Sequence, residues 1–406
     1  MAVAVFGGTF DPFHKAHKNI VKTLVNQNLF SEIYVIPTGL VAHKVSDKIS
    51  FSTYRLEMTR LALAKYPQVK ILDWEMQQDC ISYTVDTLAY LREQILDDRT
   101  PIYLVMGSDS LLQIESWHKP QVLMNEATLY VAKRPGQGPE LSLDKHKTHL
   151  EERYGARVEF FDLKPMPISS TMIREQIKAG MTDEIAVPGK VKDFIVRNHL
   201  YRDTPLEDFS HEQIQTLRSY ERQLMRLMGT MRLIHSLNVM YEAVRLAKRF
   251  GVDPWKAALA GLLHDVAKEQ DYHEYPEVLE RLDKDTLANI SIIHGPVGAS
   301  FIQTMFGIKD PAIRDAIYYH STLSPVPTQL EKVIYLADKI EPARDYQDLG
   351  PIREAALYDL DKAVLLTIEG TSRSLRSNRK NIHPDTLKAR DYILKNKDRQ
   401  AMPSDS

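Results

Sequence analysis

The sequence predicts two domains of different class: an α/β doubly wound parallel sheet over residues 1–201 and an all-α domain over residues 216–400, with a linker at 202–215. Three observations lead there. Up to about residue 200, short apolar runs alternate with stretches of helical period, as in a parallel sheet covered on both faces by helices. The stretch "DTPLEDFSHEQ" (203–213) is polar and contains proline, which suits a connector. Beyond it strand signals stop and amphipathic patterns follow one another.

The elements follow in order. Val3-Ala4-Val5-Phe6 is a continuous apolar run, expected of a strand buried on both faces, and Gly7 and Gly8 end it. Pro12 is expected near the start of the next helix, which "KNIVKTLVNQ" (18–27) continues. Further strands are "SEIYVIPTG" (31–39), "VKILDWE" (69–75), "PIYLVMGSDS" (101–110), "ATLYVAKRPG" (127–136) and "RVEFFDL" (157–163). Between them "STYRLEMTRLALAKY" (52–66) and "VDTLAYLREQIL" (85–96) have helical period. In the second half "MRLIHSLNVMYEAVRLAKRF" (231–250), "PWKAALAGLLHDVAKE" (254–269), "PAIRDAIYYHS" (311–321) and "LEKVIYLADKI" (330–340) read as helices, and the final "AMPSDS" is expected to be disordered.

Composition narrows the function. With 406 residues, 43% hydrophobic and 26% charged, the chain suits a soluble globular protein with a large core. A formal net charge of -2 gives no electrostatic footprint for nucleic acid, and no basic run is dense enough for a membrane surface. The single cysteine, Cys80, excludes an intramolecular disulfide framework and Cys-rich zinc modules. No signal-peptide pattern opens the chain, so the cytoplasm is expected; self-association is left open.

The opening "VAVFGGTFDPFHKAHKNI" (3–20) joins a strand, a glycine turn and a helix start, where free N–H groups and the helix dipole favour an anion. His14 and His17, one helical turn apart, are expected on one face at that positive end. This stretch resembles the signature of nicotinate-nucleotide adenylyltransferases, a Rossmann-like nucleotidyltransferase family. "IPTGLVAHK" (36–44), "SYTVDTL" (82–88), "GSDSLLQIESWHK" (107–119) and "ISSTMIR" (168–174) resemble its further motifs in the same order, and the likeness ends in "VPGKVKDFIVRNHLY" (187–201). Two positions depart: Ala16 stands where the family has glycine, and Val41-Ala42 stand where it has prolines.

The resemblance implies transfer of the ATP adenylyl group to nicotinate mononucleotide, with Mg²⁺ held by water and phosphates. Catalysis then rests on alignment and on positive charge placed at the α-phosphate. It assigns His14, His17, Lys44 and Arg174 to the phosphates as the catalytic set, with His17 at the α-phosphate. Gly7, Gly8, Thr9 and Phe10 would bind nucleotide, Gly107 and Asp109 would face adenosine, and Ser169, Ser170 and Thr171 would hold the β and γ phosphates. Thr84 and Trp117 would meet the nicotinate ring. A related transferase acting on phosphopantetheine or a cytidylyl acceptor is the competing reading; "SYTVDTL" with Trp117 favours the pyridine acceptor.

The second half places ionisable groups within apolar helical patterns in "LIHSLNVM" (233–240), "GLLHDVAK" (261–268), "SIIHGPVGA" (291–299), "IYYHSTL" (317–323) and "YLADKIEPAR" (335–344). Polar groups aimed at a core need partners, and imidazoles and carboxylates converging in a bundle suit a divalent ion. The series, with "NIHPDTLKARDYIL" (381–394), resembles the HD-domain phosphohydrolases, in the branch that cleaves diadenosine tetraphosphate to two ADP. It implies that His235, His264, Asp265 and Asp338 hold a metal, iron first and Mn, Zn or Co as alternatives. His294 and His320 would bind a second ion or phosphate, and Lys268 and Arg344 would stabilise phosphate charge, with Asp265 and Lys268 in the catalytic set. Other HD domains cleave other nucleotides or bind a ligand and regulate a neighbour, and both alternatives stay open.

Overall fold

The computed structural model describes residues 1–40, 49–133, 140–203 and 205–401, which fall into two compact units, Met1–Asp203 and Thr204–Ser406. Lys44, the last residues of "ATLYVAKRPG" and all but the first residue of "AMPSDS" lie outside the described residues.

The first unit is a six-stranded parallel sheet of order β3-β2-β1-β4-β5-β6: β1 Ala2–Gly8, β2 Phe30–Pro37, β3 Val69–Ile71, β4 Ile102–Gly107, β5 Ala127–Lys133 and β6 Arg157–Asp162. Strand order reverses between β1 and β4, so the crevice at their carboxyl ends is the place where such a sheet receives a ligand. Val3, Ala4, Val5 and Phe6 are buried. That accounts for their unbroken apolarity, since helices cover both faces of a central parallel strand.

Several expectations need correction. β1 does not stop at Gly7: both glycines pair in the ladder, Gly7 opposite Ile36 and Gly8 opposite Pro37. The next helix, Lys15–Gln27, begins after Pro12, and His14 is its N-cap. "VKILDWE" is a strand only over Val69–Ile71 and then tightens into a 3₁₀ turn at Trp74–Gln77, because this short edge strand pairs on one side alone. The helices Pro120–Glu126 and Glu140–Tyr154 were not legible. Among the described side chains of the latter the buried leucines are Leu143 and Leu150, seven residues apart among charged neighbours, too sparse a stripe to read.

Among the described residues of the second unit the regular elements are helices, without a strand. The polar stretch ends inside a helix, His211–Leu227, capped reciprocally by Ser210 and Gln213. The helices Thr230–Phe250 and Pro254–Leu263 pack closely at Gly261, where a Cβ would lie 2.9 Å from the Met240 Cα. At Gly295, on helix Ile290–Met305, a Cβ would lie 2.5 Å from the Tyr318 carbonyl at the end of helix Pro311–Tyr318. Each glycine stands beside a site histidine, so these close approaches draw the imidazoles together. Helix Pro254–Leu263 stops one residue before His264, whose Nδ1–H donates to the Gly261 carbonyl at 2.8 Å. His264 and Asp265 therefore lie just past a helix end instead of on its face.

Candidate active sites

The first site is built where β1 meets helix Lys15–Gln27. The His14 backbone N–H donates to His17 Nδ1 at 3.3 Å, and the His17 N–H donates to His14 Nδ1 at 3.4 Å. This reciprocal cap uses both Nδ1 lone pairs, so each imidazole in its neutral form carries its proton on Nε2. The rings stack, 3.5 Å between centroids and 12° apart. Burial, and then the charge of His14, push the His17 pKa well below its ordinary value, so His17 acts as a neutral donor.

Both histidines line a cavity of about 610 Å³, with Thr9 and Asp11 on the same side. Ser169, Ser170, Thr171 and Arg174 line it too. Ser169 caps helix Ser170–Lys178 by accepting from the Met172 N–H, and Ser170 Oγ donates to the Pro12 carbonyl at 3.2 Å. Arg174 donates to the Asp11 carbonyl at 2.6 Å and to Thr171 Oγ1 at 3.3 Å. The two ends of the predicted phosphate site, more than a hundred and fifty residues apart in sequence, are thus hydrogen-bonded together.

Other expected residues lie elsewhere. Phe10 is buried against Phe6, Phe13 and His17, which leaves only its backbone for a nucleotide. Gly7 and Gly8 remain in β1, Gly107 ends β4, and Asp109 is exposed on the short helix that follows; none of them lines the cavity. Thr84 starts helix Thr84–Gln94 and Trp117 packs against the sheet core, also away from it.

Two contributors were missed. The buried Asp11 carboxylate accepts from Tyr201 Oη at 2.7 Å and the Ser50 N–H at 3.1 Å. Buried Arg55 donates to the carbonyls of Thr9 at 2.9 Å and Thr38 at 2.8 Å, fixing the backbone at the ends of β1 and β2. Asp11 stood in the quoted motif and could have been found; Arg55 read as a polar position of a helix and gave no signal.

The second site joins five segments. Among the described residues, two groups each bring one donor atom per residue within 4.8 Å of one another: His235, His264 and Asp338, and His264, Asp265 and His320. His235 lies on helix Thr230–Phe250 and Asp338 on helix Gln329–Ile340, with His235 Nε2 3.0 Å from Asp338 Oδ1. With its Nδ1 proton committed to Gly261, His264 presents an Nε2 lone pair that is buried and without a hydrogen-bond partner, 3.7 Å from Asp265 and 3.9 Å from Asp338. An orphaned imidazole nitrogen facing two carboxylates fits a divalent cation.

Charge states agree with ligation. Burial takes the His264 pKa down to about 3, despite the neighbouring Asp265, so its lone pair is available. Burial pushes the Asp265 carboxyl up, but His264, His294 and His320 around it hold it far below the usual carboxylate range. Asp338 is likewise held down, chiefly by Lys339, against its own burial.

His294 belongs to neither group. Since His320 Nδ1–H donates to the Ile317 carbonyl at 2.7 Å, His320 Nε2 is an acceptor, and the 2.8 Å contact makes His294 Nε2–H the donor. The same nitrogen lies 3.1 Å from Asp265 Oδ1, while Lys268 Nζ donates to His294 Nδ1 at 3.1 Å. In this arrangement His294 offers no lone pair to a second ion. Arg344 reaches Asp338 Oδ1 at 2.8 Å, and Arg232, missed in the sequence although one turn before His235, reaches Asp265 Oδ2 at 2.9 Å. A cavity of about 370 Å³ opens on Asp265, Lys268, His294, His320, Asp338 and Arg344, with His235 and His264 outside its lining. Thr371, Asn381 and His383 line its other side.

Comparison with known proteins agrees with this division. The Cytidylyltransferase-like family profile matches residues 5–176, and the HD domain profile matches residues 232–343. The "Probable nicotinate-nucleotide adenylyltransferase" of Clostridium botulinum (strain Kyoto / Type A2) is 33% identical over 199 residues, covering 49% of this chain and 98% of that protein. The protein of the same description from Aeromonas salmonicida (strain A449) is 36% identical over 210 residues, 49% of this chain and 97% of its own length. A crystal structure from Clostridium acetobutylicum, described as a predicted HD superfamily hydrolase involved in NAD metabolism, is 35% identical and covers 44% of this chain and 96% of that one, with a TM-score of 0.42. Through its N-terminal half the chain belongs to the nicotinate-nucleotide adenylyltransferase family, and an HD domain is joined to it in the same polypeptide.

Proposed function

We propose that the chain is a bifunctional enzyme: the N-terminal unit transfers the adenylyl group of ATP to nicotinate mononucleotide, giving deamido-NAD and pyrophosphate in NAD synthesis, and the C-terminal unit is a metal-dependent phosphohydrolase acting on diadenosine tetraphosphate. The transferase reading rests on one observation above all: His14, His17 and the start of helix Ser170–Lys178 line a single cavity just beyond the carboxyl end of β1. A phosphate oxygen of the mononucleotide attacks the α-phosphorus as the bond to the pyrophosphate breaks. His17 donates to the α-phosphate oxygens where charge grows, and His14 donates beside it. Arg174 and the Ser169–Thr171 turn receive the β and γ phosphates, assisted by Lys44. Mg²⁺ supplies further charge neutralisation on the phosphates.

The hydrolase reading rests on the orphaned, buried Nε2 of His264 among His235, Asp265, His320 and Asp338. His235, His264, Asp265, His320 and Asp338 would hold a divalent ion there, which would supply Lewis-acid polarisation of a phosphoryl oxygen and acidification of water. Lys268, Arg232 and Arg344 meet the phosphate charge from the cavity side, where His294 also lies.

A substrate panel on the intact chain tests both halves: ATP with nicotinate mononucleotide, nicotinamide mononucleotide or phosphopantetheine, and diadenosine tetraphosphate with each candidate metal, followed by product chromatography. Deamido-NAD and ADP are the expected products. Turnover of phosphopantetheine alone overturns the first assignment, and cleavage of a different nucleotide replaces the second. Among the described residues no helix is long and apolar enough to cross a membrane, and the cytoplasm is the proposed location.

A further inference from the structure

Three site imidazoles have their Nδ1–H tied down, and the ties differ in kind. His264 donates to the Gly261 carbonyl at 2.8 Å and His320 to the Ile317 carbonyl at 2.7 Å, each three residues back along its own chain segment. His235 sits mid-helix, where the backbone carbonyls are engaged in the helix ladder. Its Nδ1 instead meets Glu341 Oε1 at 3.3 Å, a carboxylate 106 residues away.

Glu341 is itself held firmly. Its second oxygen accepts from the Ala343 N–H at 2.7 Å and from Asn238 Nδ2 at 3.1 Å, and Arg353 donates to its carbonyl at 2.7 Å. The residue is 3% exposed. A buried carboxylate so fixed does more than join two helices: it determines which imidazole nitrogen keeps the proton and which way the ring faces.

We infer that Glu341 is the positioning residue for His235, accepting Nδ1–H so that the Nε2 lone pair is presented to the metal. The inference deepens the metal-dependent reading proposed for the second unit and rests on it. Asp338 and Glu341 lie three residues apart at the end of helix Gln329–Ile340, so one helix terminus supplies both a ligand and the group that orients another ligand. Glu341 does not touch the ion and is not a catalytic residue.

The test uses the full chain, stripped of metal and titrated with Co²⁺ alone, read by its visible absorption and by competition with a chelator. Glu341→Leu removes the acceptor, and Glu341→Asp keeps the charge but withdraws it by one methylene, about 1.5 Å. Both variants are expected to bind Co²⁺ about 10- to 100-fold more weakly than wild type, with an altered absorption band. A merely structural Glu341 lowers the melting temperature of the metal-free chain and leaves the affinity and the band unchanged; that result in a folded variant overturns the inference. If the leucine variant fails to fold, the aspartate variant decides alone. His264→Ala separates the two levels: wild type that binds no Co²⁺, or binding undiminished by His264→Ala, removes the metal reading and Glu341's role with it. Wild-type binding that Glu341→Asp leaves intact removes Glu341's role only.

Discussion

The two units orient their histidines by opposite means. In the first, His14 and His17 lie three residues apart and cap each other, so one turn of sequence specifies both tautomers. In the second, His235, His264 and His320 come from separate segments, and His235 takes its orientation from Glu341. A site written locally stands with its helix start, whereas a site assembled from a bundle depends on packing at Gly261 and Gly295. The charges differ as well: in the first site burial holds the His17 imidazole neutral, and the second brings carboxylates and imidazole lone pairs together.

The sharpest way to break this comparison is to empty one site and watch the other. The double change His264→Ala/Asp265→Ala removes two donors of the proposed ion, and is expected to abolish both bound metal and phosphohydrolysis while adenylyl transfer persists. Metal analysis and both assays on one preparation decide it. Joint loss of both activities in a folded protein means that the units are not functionally separate.

A smaller effect is expected at the local site. His17→Ala removes a donor aimed at the α-phosphate and also half of the reciprocal cap, so turnover should fall about 10²-fold or more. Steady-state kinetics check this: weaker mononucleotide binding with unchanged turnover would move His17 out of the catalytic role.

Trp117 probes the boundary between site and core. Because it packs against the sheet core, Trp117→Ala should cost about 2–4 kcal/mol of stability in urea unfolding. The family resemblance adds a raised Michaelis constant for nicotinate mononucleotide with that for ATP unchanged. A kinetic defect without loss of stability identifies the ring as a ligand platform; loss of stability alone leaves it as core.

The mildest test is pH. The His17 pKa in the folded chain lies below its unfolded value, so the unfolded chain takes up the proton more readily. The stability this histidine contributes is complete above about pH 6.5 and is lost as pH falls below it. Thermal melts between pH 7.5 and 5 should show the decline, and His17→Asn should flatten it. An unchanged slope in the variant assigns the acid sensitivity to other groups.

Sequence by itself determined the classes of both units and, through family resemblance, named the residues expected at their sites. Alternating apolar runs dictate a covered parallel sheet because each central strand is buried on two faces, and the spacing of His14 and His17 puts them on one turn at a helix start. Those are short-range constraints, and pattern carries them. Tertiary structure alone decided which distant groups meet: Arg174 on the Asp11 carbonyl, Tyr201 on the Asp11 carboxylate, Arg55 on Thr9 and Thr38, Arg232 on Asp265 and Glu341 on His235. It also packed Trp117 against the sheet core and left His294 as a hydrogen-bond donor. The reason is physical: a buried charged group is satisfied by whichever partner packing brings within hydrogen-bond reach, and that partner is set by the close approach of helices, which leaves no period in the chain.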